Sequence, residues 1–247
     1  EFFNILEEHS KIKLMVLNEY IKTWMRKVVL NQFGNSNCLI VDTFAGTGLY
    51  DDGNVGSPLI IIREALDFIE QSKKYPKMSI NSINLIFIES DTNNYNKLKL
   101  NIETYIGQRI NDHCFNKINN YINIAISNST HEEFIENLLR SVNKMMPAFF
   151  FIDPFKFSVP FKLNEGLLRK YDKVELLFNL ITEELSRFFE VDKIDNSLKM
   201  LYGINDTSEI KKKIKDKTGK DRINVITDFY KKRLIDAGAS YTLNFDI

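Results

Sequence analysis

Residues 38–58 read CLIVDTFAGTGLYDDGNVGSP and contain an apolar run followed by an acid and two closely spaced glycines. Its start, residues 39–41, is a short run of branched apolar residues, which is typical of a strand buried in a parallel sheet. The run ends at Asp42 and passes directly into a turn that contains Gly46 and Gly48. Glycines in such a turn let the backbone approach a ligand without a Cβ in the way. The stretch therefore predicts a strand whose carboxyl end forms part of a nucleotide site in an open α/β fold.

Two nucleotide-binding patterns compete for this turn. The dinucleotide fingerprint needs a third glycine three residues after the second, and that position is occupied by Asp51. The spacing therefore argues against an NAD-dependent oxidoreductase. An acid at a strand end followed by Gly-x-Gly is instead the pattern of methyltransferases that use S-adenosylmethionine (SAM). A tight strand-to-helix turn that binds nothing is the remaining alternative.

Strands and helices alternate along the rest of the chain, which predicts a parallel sheet with helices on both faces. Apolar runs of strand length follow the first strand at 83–88, 122–126, 148–152 and 174–180, and a last strand is expected at 241–247. Helical patterns occupy 10–32, 59–71, 91–106, 132–142 and, with breaks at Gly203 and Gly219, 183–238, while 107–120 is expected to be a loop. Together with the glycine turn, this order predicts a Rossmann-like class I methyltransferase fold with an extra N-terminal helix and a helical C-terminal insertion.

The first helix is expected to begin with Ser10 as its N-cap and to cover one wall of the ligand cleft. Its apolar stripe is predicted from residues at three- and four-residue steps, namely Ile12, Met15, Val16, Tyr20 and Trp24. Four segments are expected: a helical cover (1–36), a SAM-binding core (37–182), a helical segment (183–238) and the start of a C-terminal strand pair (239–247) whose second strand would lie beyond this sequence.

Composition narrows the classes of partner. Lys and Arg total 33 and Asp and Glu total 33, so no overall field draws the chain to nucleic acid or to an anionic membrane. Two cysteines and three scattered histidines form no metal-ligand spacing, which favours a reduced, cytoplasmic protein. No apolar run reaches the ~20 residues that span a bilayer. The basic run from Lys211 to Arg222 is either a solvated helix face or a local contact surface for nucleic-acid phosphates.

The predicted strand ends bring candidate ligand-binding residues to one edge of the sheet. An acid after the first strand can accept from the cofactor ammonium, and an acid after the second can accept from both ribose hydroxyls. A serine or asparagine after the third can bond adenine. The expected cofactor-binding residues are Asp42, Phe44, Ala45, Gly46, Gly48, Glu89, Ser127 and Asn128.

The fourth strand ends in Asp153-Pro154-Phe155, where the methyl acceptor would be chosen. In amino methyltransferases that act on bases, an Asp or Asn, two prolines and an aromatic residue grip the exocyclic amine of a base taken out of its stack. Here one proline is present and Phe155 arrives one position early, so the stacking ring is expected and the full grip is left open. Asn179 lies near the end of the fifth strand. The expected catalytic residues are Asp153, Pro154 and Phe155, and the expected substrate contacts are Lys13, Tyr50 and Phe157.

Several of these runs together resemble the three-Cys-motif partner (TcmP) family, over about His9 to Asn179. They are HSxxK with Tyr20 and Trp24, then VDTFAGTGLYDDGNVGSP, FIES, FFFIDPF and LLFNL. The resemblance implies a SAM-methyltransferase-like fold and a partner protein with a three-cysteine, radical-SAM-like motif. By position it makes Asp42, Gly46 and Gly48 the first cofactor motif, Glu89 the second and Asp153-Pro154-Phe155 the fourth. The family pattern has glycine where this chain has Lys156. The glycine block is also similar, more weakly, to that of ribosomal-RNA adenine-N6 methyltransferases.

The function predicted from these residues is SAM-dependent methyl transfer to a nucleic-acid base or to a partner protein. The alternative is a non-catalytic SAM-fold protein that serves as a scaffold for a three-Cys-motif protein. Lys156 and the single proline motivate that alternative.

Overall fold

A single sheet of five parallel strands organises the computed structural model, which describes residues 7–29, 37–72, 74, 80–111, 121–155, 159–189 and 192–245. The strands are β1 (Asn37–Asp42), β2 (Ser82–Glu89), β3 (Ile122–Asn128), β4 (Ala148–Ile152) and β5 (Val174–Phe178). Their order in the sheet is β3-β2-β1-β4-β5. The order reverses between β1 and β4, which is the switch point where open α/β sheets bind ligands. The predicted α/β fold with a parallel, Rossmann-like sheet is confirmed.

Helices connect the strands and cover both faces. They are α1 (Glu8–Val29), α2 (Ser57–Ser72), α3 (Thr92–Asn111), α4 (His131–Ser141), α5 (Phe161–Lys170), α6 (Thr182–Phe188), α7 (Asp195–Tyr202), α8 (Ser208–Ile214) and α9 (Gly219–Asp236). Side chains of β4 alternate between the faces, as a strand requires. Phe149 and Phe151 pack in the core beneath α1, α2 and α3, while Phe150 and Ile152 pack in the core beneath α4 and α5. A third core, centred on Tyr202, joins α6 to α9.

The face that α1 buries differs from the predicted stripe. The helix begins at Glu8, two residues before Ser10, and Met15 is 68% exposed. Its buried residues are Leu14, Leu17, Ile21, Trp24, Met25 and Val29. Two apolar sets with three- and four-residue spacing coexist on this helix, and periodicity alone does not choose between them. Contact with α2 and with the face of β4 selects the set that includes Leu17 and Ile21.

Three further predictions about elements are wrong, and helix α5 was not predicted at all. Helix α3 continues to Asn111 where a loop was predicted from 107; residues 112–120 of that loop lie outside the described part. Strand β5 ends at Phe178, and residues 241–245 form no strand. The alternation of Tyr241, Leu243 and Phe245 resembles a strand, but the ring of Phe245 instead packs edge-on against Tyr20, with centroids 6.2 Å apart.

Candidate cofactor and acceptor site

The carboxyl ends of the strands bring three acids to one edge of the sheet. Asp42 ends β1 and lies in register between Phe87 of β2 and Phe151 of β4. Glu89 ends β2, and Asp153 follows β4. The negative charges of Asp153 and Glu89 each contribute to raising the pKa of Asp42, so the three carboxyl groups are close enough to interact. The topology therefore assembles acids that lie 47 and 64 residues apart in the sequence.

Asp42 is fully buried, and one of its carboxylate oxygens is unsatisfied. Oδ1 accepts a hydrogen bond from the backbone N–H of Phe44 at 3.2 Å. Oδ2 is buried and accepts no hydrogen bond from the described residues; the Ser57 hydroxyl lies near the carboxyl group but makes no hydrogen bond to Oδ2. Burial raises the pKa of Asp42 to about 7, against the opposing effects of the Ser57 hydroxyl and the Phe44 N–H. A buried acceptor of this kind needs a donor, and an ammonium group of a ligand would supply one.

The glycine turn after β1 has the backbone that the sequence predicted. Gly46 and Gly48 have φ angles of 61° and 74°, in the left-handed region that favours glycine. A Cβ on Gly48 would lie 2.9 Å from Cδ1 of Leu98. The Asn101 side chain donates to the carbonyl of Thr47 at 2.9 Å, so α3 supports the turn from outside.

Glu89 fastens the glycine turn to the end of β2. Its Oε2 accepts from the backbone N–H of Gly46 at 2.9 Å, and its Oε1 accepts from the N–H of Asp91 at 2.8 Å. Burial raises the pKa of Glu89, and these backbone donors act in the opposite direction. Each carboxylate oxygen has a second lone pair, so the group retains the capacity to accept from ribose hydroxyls. The acid predicted for the ribose thus also holds the turn.

The residues predicted to bind adenine make contacts within the protein. The amide of Asn128 donates to the carbonyls of Glu89 and Ser90 at 2.9 and 3.0 Å, and its Oδ1 accepts from the Thr92 hydroxyl at 3.1 Å. The hydroxyl of Ser127 hydrogen-bonds to that of Ser129. Asn128 therefore ties the end of β3 to the turn before α3, and its side-chain amide hydrogens are both used there.

A buried histidine beside the turn escaped the sequence analysis. His131, the first residue of α4, is 5% exposed and stacks on the ring of Phe44 with centroids 5.3 Å apart and planes 15° from parallel. Neither ring nitrogen has a hydrogen-bond partner within the described residues, and burial lowers the pKa of His131 to about 4. Nothing in its sequence context, one scattered histidine after a Thr cap, distinguishes it from a surface residue.

Asp153 lies between two donors from distant parts of the chain. The Nζ of Lys13, on α1, is 2.7 Å from Oδ2 and 3.0 Å from Oδ1. The amide of Asn179, directly after β5, donates to Oδ1 at 2.7 Å. The sequence singled out Lys13 and Asp153 separately. The sequence analysis located Asn179 near the end of a strand but gave it no role. Its position at a strand end was the one signal that could have marked it as a site residue.

Tyr50, Pro154 and Phe155, three of the remaining residues predicted for the acceptor end, lie near this cluster. Burial, followed by the negative charge of Asp153, raises the pKa of Tyr50 to about 12, which places Tyr50 close to the acid. Pro154 is buried and Phe155 is 52% exposed. Phe157 and Lys156 lie outside the described residues. This edge of the sheet thus presents to a ligand the Asp153 carboxylate, held by Lys13 and Asn179, and the exposed ring of Phe155.

A cleft of about 2000 Å³ opens over the acceptor end. Lys13, Phe44, Tyr50, Asp153 and Phe155 line one part of it. The cleft then continues along β5 between α1 and α9, past residues 239–245. A small-molecule site typically occupies about 300–1,000 Å³, so this cleft has room for more than a cofactor.

The basic run 211–222 spans α8 and the start of α9. Lys211 pairs with Asp195 at 2.7 Å, and Lys213 pairs with Glu209 at 2.7 Å. Lys212, Lys215 and Lys217 are exposed. Part of the run is therefore neutralised within the protein. Over the described ranges, no group of three or more His, Cys, Asp or Glu side chains is arranged to hold a metal ion, and no helix is both long and apolar enough to cross a bilayer.

No protein-family model matches the chain, and no curated protein matches it. Among solved structures, it is similar to the plantazolicin methyltransferase BamL, crystallised with a triazolic desmethylPZN analog and SAH. The two are 13% identical, with a TM-score of 0.35, and the similarity covers 93% of this chain and 77% of that chain. At this distance the basis for the fold remains the strand order and register of the chain itself.

Proposed function

We propose that this chain binds SAM and transfers its methyl group to a nitrogen of a nucleic-acid base. The observation that carries the proposal is the meeting of Asp42, the glycine turn, Glu89 and Asp153 at the switch point of a parallel sheet. One acid at a strand end is common in such sheets. Acids at the ends of three adjacent strands, with a positive-φ glycine turn after the central one, form a site that extends from an ammonium to a methyl acceptor.

The residues present fit the cofactor. The unsatisfied Oδ2 of Asp42 matches the ammonium of the methionine part, and Glu89 retains lone pairs for the ribose hydroxyls. Gly46 and Gly48 have the left-handed backbone that lets the turn pass close to a ligand. When bound, SAM supplies an activated methyl group on a sulfonium that is already a good leaving group. The protein therefore contributes mainly by positioning the two reactants.

The acceptor end favours a planar amine. Asp153 is a hydrogen-bond acceptor at the strand end, and Phe155 presents an exposed ring beside it for stacking. This combination suits the exocyclic amine of a base that has left its stack. The same cleft is large enough for a segment of a partner protein, so a protein acceptor is the second candidate.

Ligand-induced stabilisation tests the cofactor. The melting temperature of the purified protein is measured with S-adenosylhomocysteine (SAH), SAM and NAD, each at about one hundred times the expected dissociation constant. Binding at that excess adds about 2.7 kcal/mol, which raises the midpoint by roughly 5–10 °C for a chain of this size. We expect a shift with SAH and SAM and none with NAD. A shift with NAD alone would contradict the proposal.

The glycine turn provides the matched variants. Gly46→Val puts a β-branched residue at φ 61° and is expected to abolish the SAH shift while the protein still melts cooperatively. Gly107→Ala, in α3 where the described residues leave space for a Cβ, is the control and should keep the shift. Retained SAH binding in Gly46→Val would exclude the turn as the cofactor site.

Methyl transfer distinguishes the acceptors from the scaffold alternative. Protein and methyl-labelled SAM are incubated with total RNA, DNA or lysate protein, with and without a co-expressed three-Cys-motif protein. Label in a nucleic-acid pool supports the base, and label in protein alone supports the partner protein. Cofactor binding without label in any pool, even with the partner present, would favour a non-catalytic scaffold.

A further inference from the structure

We infer that Lys13 and Asn179 are positioning residues that fix the Asp153 carboxylate for an uncharged amine acceptor. This inference rests on the proposed function and deepens it, because it names the charge state of the acceptor and adds α1 to the site. Lys13 lies outside the sheet and is 140 residues from Asp153 in sequence. The acceptor end is therefore built jointly by the parallel sheet and the helix that precedes it.

The hydrogen bonds leave one direction open on the carboxylate. An ionised carboxylate has about four lone-pair positions, two on each oxygen. Oδ1 accepts from Lys13 at 3.0 Å and from Asn179 at 2.7 Å, which uses both of its positions. Oδ2 accepts from Lys13 at 2.7 Å and keeps one position. An acceptor N–H that approaches Asp153 can therefore donate only to Oδ2. Lys13 and Asn179 act as two clamps, because their hydrogen bonds fix the orientation of the carboxylate that presents this oxygen.

Charge balance at this edge argues for a neutral acceptor. Lys13 supplies a cation directly on the carboxylate, and both side chains are largely withdrawn from solvent, at 19% and 23% exposure. The pair has no net charge, so it offers no cation to a phosphate or carboxylate acceptor. A cationic amine that donated to Oδ2 would be repelled by the ammonium of Lys13, which lies 2.7 Å from the same oxygen. An uncharged N–H donor, such as the exocyclic amine of a base, needs no cation from the protein and is not repelled by Lys13.

If Lys13 had a different role, as a placeholder for the substrate amine, its removal would raise the rate of methyl transfer instead of lowering it. In that role the ammonium of Lys13 would occupy the position from which an acceptor amine donates to Asp153, and the substrate would displace it. Asn179 argues for positioning instead, because it is a second, uncharged donor on the same carboxylate from a different strand end. If Lys13 only held the place of the substrate amine, the additional hydrogen bond from Asn179 to Asp153 would not be needed.

Kinetics of four variants separate these roles. The probe is total RNA with methyl-labelled SAM, and SAH affinity is measured in parallel. Lys13→Met and Asn179→Ala are expected to lower kcat by about 100-fold, the cost of misplacing a reacting group by about 1 Å, while SAH affinity stays within about twofold. Lys13→Arg should recover most of the rate because it keeps the cation. Lys22→Met, which removes an exposed lysine from the same helix, is the control. Transfer by Lys13→Met at or above the wild-type rate would overturn the inference.

Crystal structures test whether Lys13 and Asn179 hold the Asp153 carboxylate in place, and this test does not depend on the identity of the acceptor. The wild type, Lys13→Met and Asn179→Ala are compared, each soaked with SAH. We expect the Asp153 carboxylate to rotate away from its wild-type position in both variants. An unmoved carboxylate would overturn the inference even if RNA proves not to be the acceptor. Failure of the wild type to bind SAH would instead refute the proposed function, while the same comparison without ligand would still test the clamp.

Discussion

The carboxylate of Glu89 accepts a hydrogen bond from the backbone nitrogen of Gly46 at 2.9 Å, across 43 residues of sequence. Its other oxygen accepts from the backbone of Asp91 at 2.8 Å. One acid at the end of β2 therefore joins the glycine turn after β1 to the turn before α3. Both turns are where a nucleoside ligand would lie. Any change that moves Glu89 is expected to disturb the methionine and ribose parts of the site together.

Replacing Glu89 with Gln is predicted to weaken both stability and cofactor binding. The amide keeps one acceptor oxygen, but its NH₂ group then faces a backbone N–H. Losing a buried hydrogen bond to a charged group costs about 1.5–3 kcal/mol, which is at least tenfold in an equilibrium constant. Chemical denaturation and SAH titration measure the two effects. Glu70→Gln, at an exposed position of α2, is the control. Unchanged SAH affinity in Glu89→Gln would remove Glu89 from the cofactor site.

Burial of Asp42 is predicted to contribute stability that the free protein loses as pH rises from about 4 to about 7. Its folded pKa is about 7, raised from the usual 3.8 by burial, so the folded state binds the proton more tightly in that range. The contribution amounts to about 4 kcal/mol over the whole range. Glu89, whose pKa burial also raises, acts with the same sign. Denaturation at a series of pH values measures the slope, and Asp42→Asn should reduce it. An unaltered slope in Asp42→Asn would contradict the assignment.

Asp42 also predicts how cofactor affinity depends on pH. An ammonium ligand favours the ionised carboxylate, so binding releases the proton that Asp42 holds below pH 7. SAH affinity should therefore rise up to tenfold per pH unit between pH 5.5 and 7 and level off above it. Calorimetry in two buffers of different ionisation enthalpy would detect the released proton. No proton release in the wild type would show that the ammonium is bound elsewhere.

His131 is predicted to act in the opposite direction. Burial lowers its pKa from 6.5 to about 4, so its neutral form is favoured by folding. Its contribution to stability is present above pH 6.5 and is lost as pH falls toward 4, by about 3 kcal/mol. His131→Phe keeps the stack on Phe44 and removes two unsatisfied ring nitrogens. We expect it to be more stable than the wild type at pH 5.

The two titrations partly cancel in the wild type, and the variants separate them. Asp42→Asn should lose stability on acidification because His131 remains, whereas His131→Phe should gain stability because Asp42 remains. Equal pH profiles for the two variants would mean that neither residue controls the dependence. His9→Phe, on an exposed position of α1, is the control for the histidine change.

The strands and the acids at their ends follow from local sequence. A buried strand is a continuous apolar run, and the first polar residue after it marks the carboxyl end. Asp42 and Glu89 were located in this way, and Asp153 follows the run of phenylalanines in β4. The parallel arrangement then brings consecutive carboxyl ends to one edge without further information. For these reasons the fold and one edge of the site were predictable.

The partners of those acids were not predictable, because they depend on contacts between distant segments. Lys13 reaches Asp153 because α1 buries the face that includes Leu17, and periodicity alone did not distinguish this face from the predicted stripe. The amide of Asn128 looked free for a ligand, yet three groups around the turn before α3 engage it. Burial of His131 likewise depends on where Phe44 lies. Packing between elements, which a single sequence does not encode locally, sets each of these.

Gly48 allows two causes of a glycine requirement to be separated. Its φ of 74° penalises any Cβ by about 1–2 kcal/mol, and the added Cβ would also lie 2.9 Å from Cδ1 of Leu98. The end of a leucine side chain can shift, so the backbone penalty should dominate. We predict that Gly48→Ala destabilises the protein by about the same amount in the wild type and in Leu98→Ala, as measured by chemical denaturation. Gly107→Ala, inside α3 with no atom of the neighbouring described residues within 4 Å of the new Cβ, should instead stabilise by about 0.5–1 kcal/mol. If Leu98→Ala abolished the cost at Gly48, the steric contact and not the left-handed backbone would be the reason for glycine.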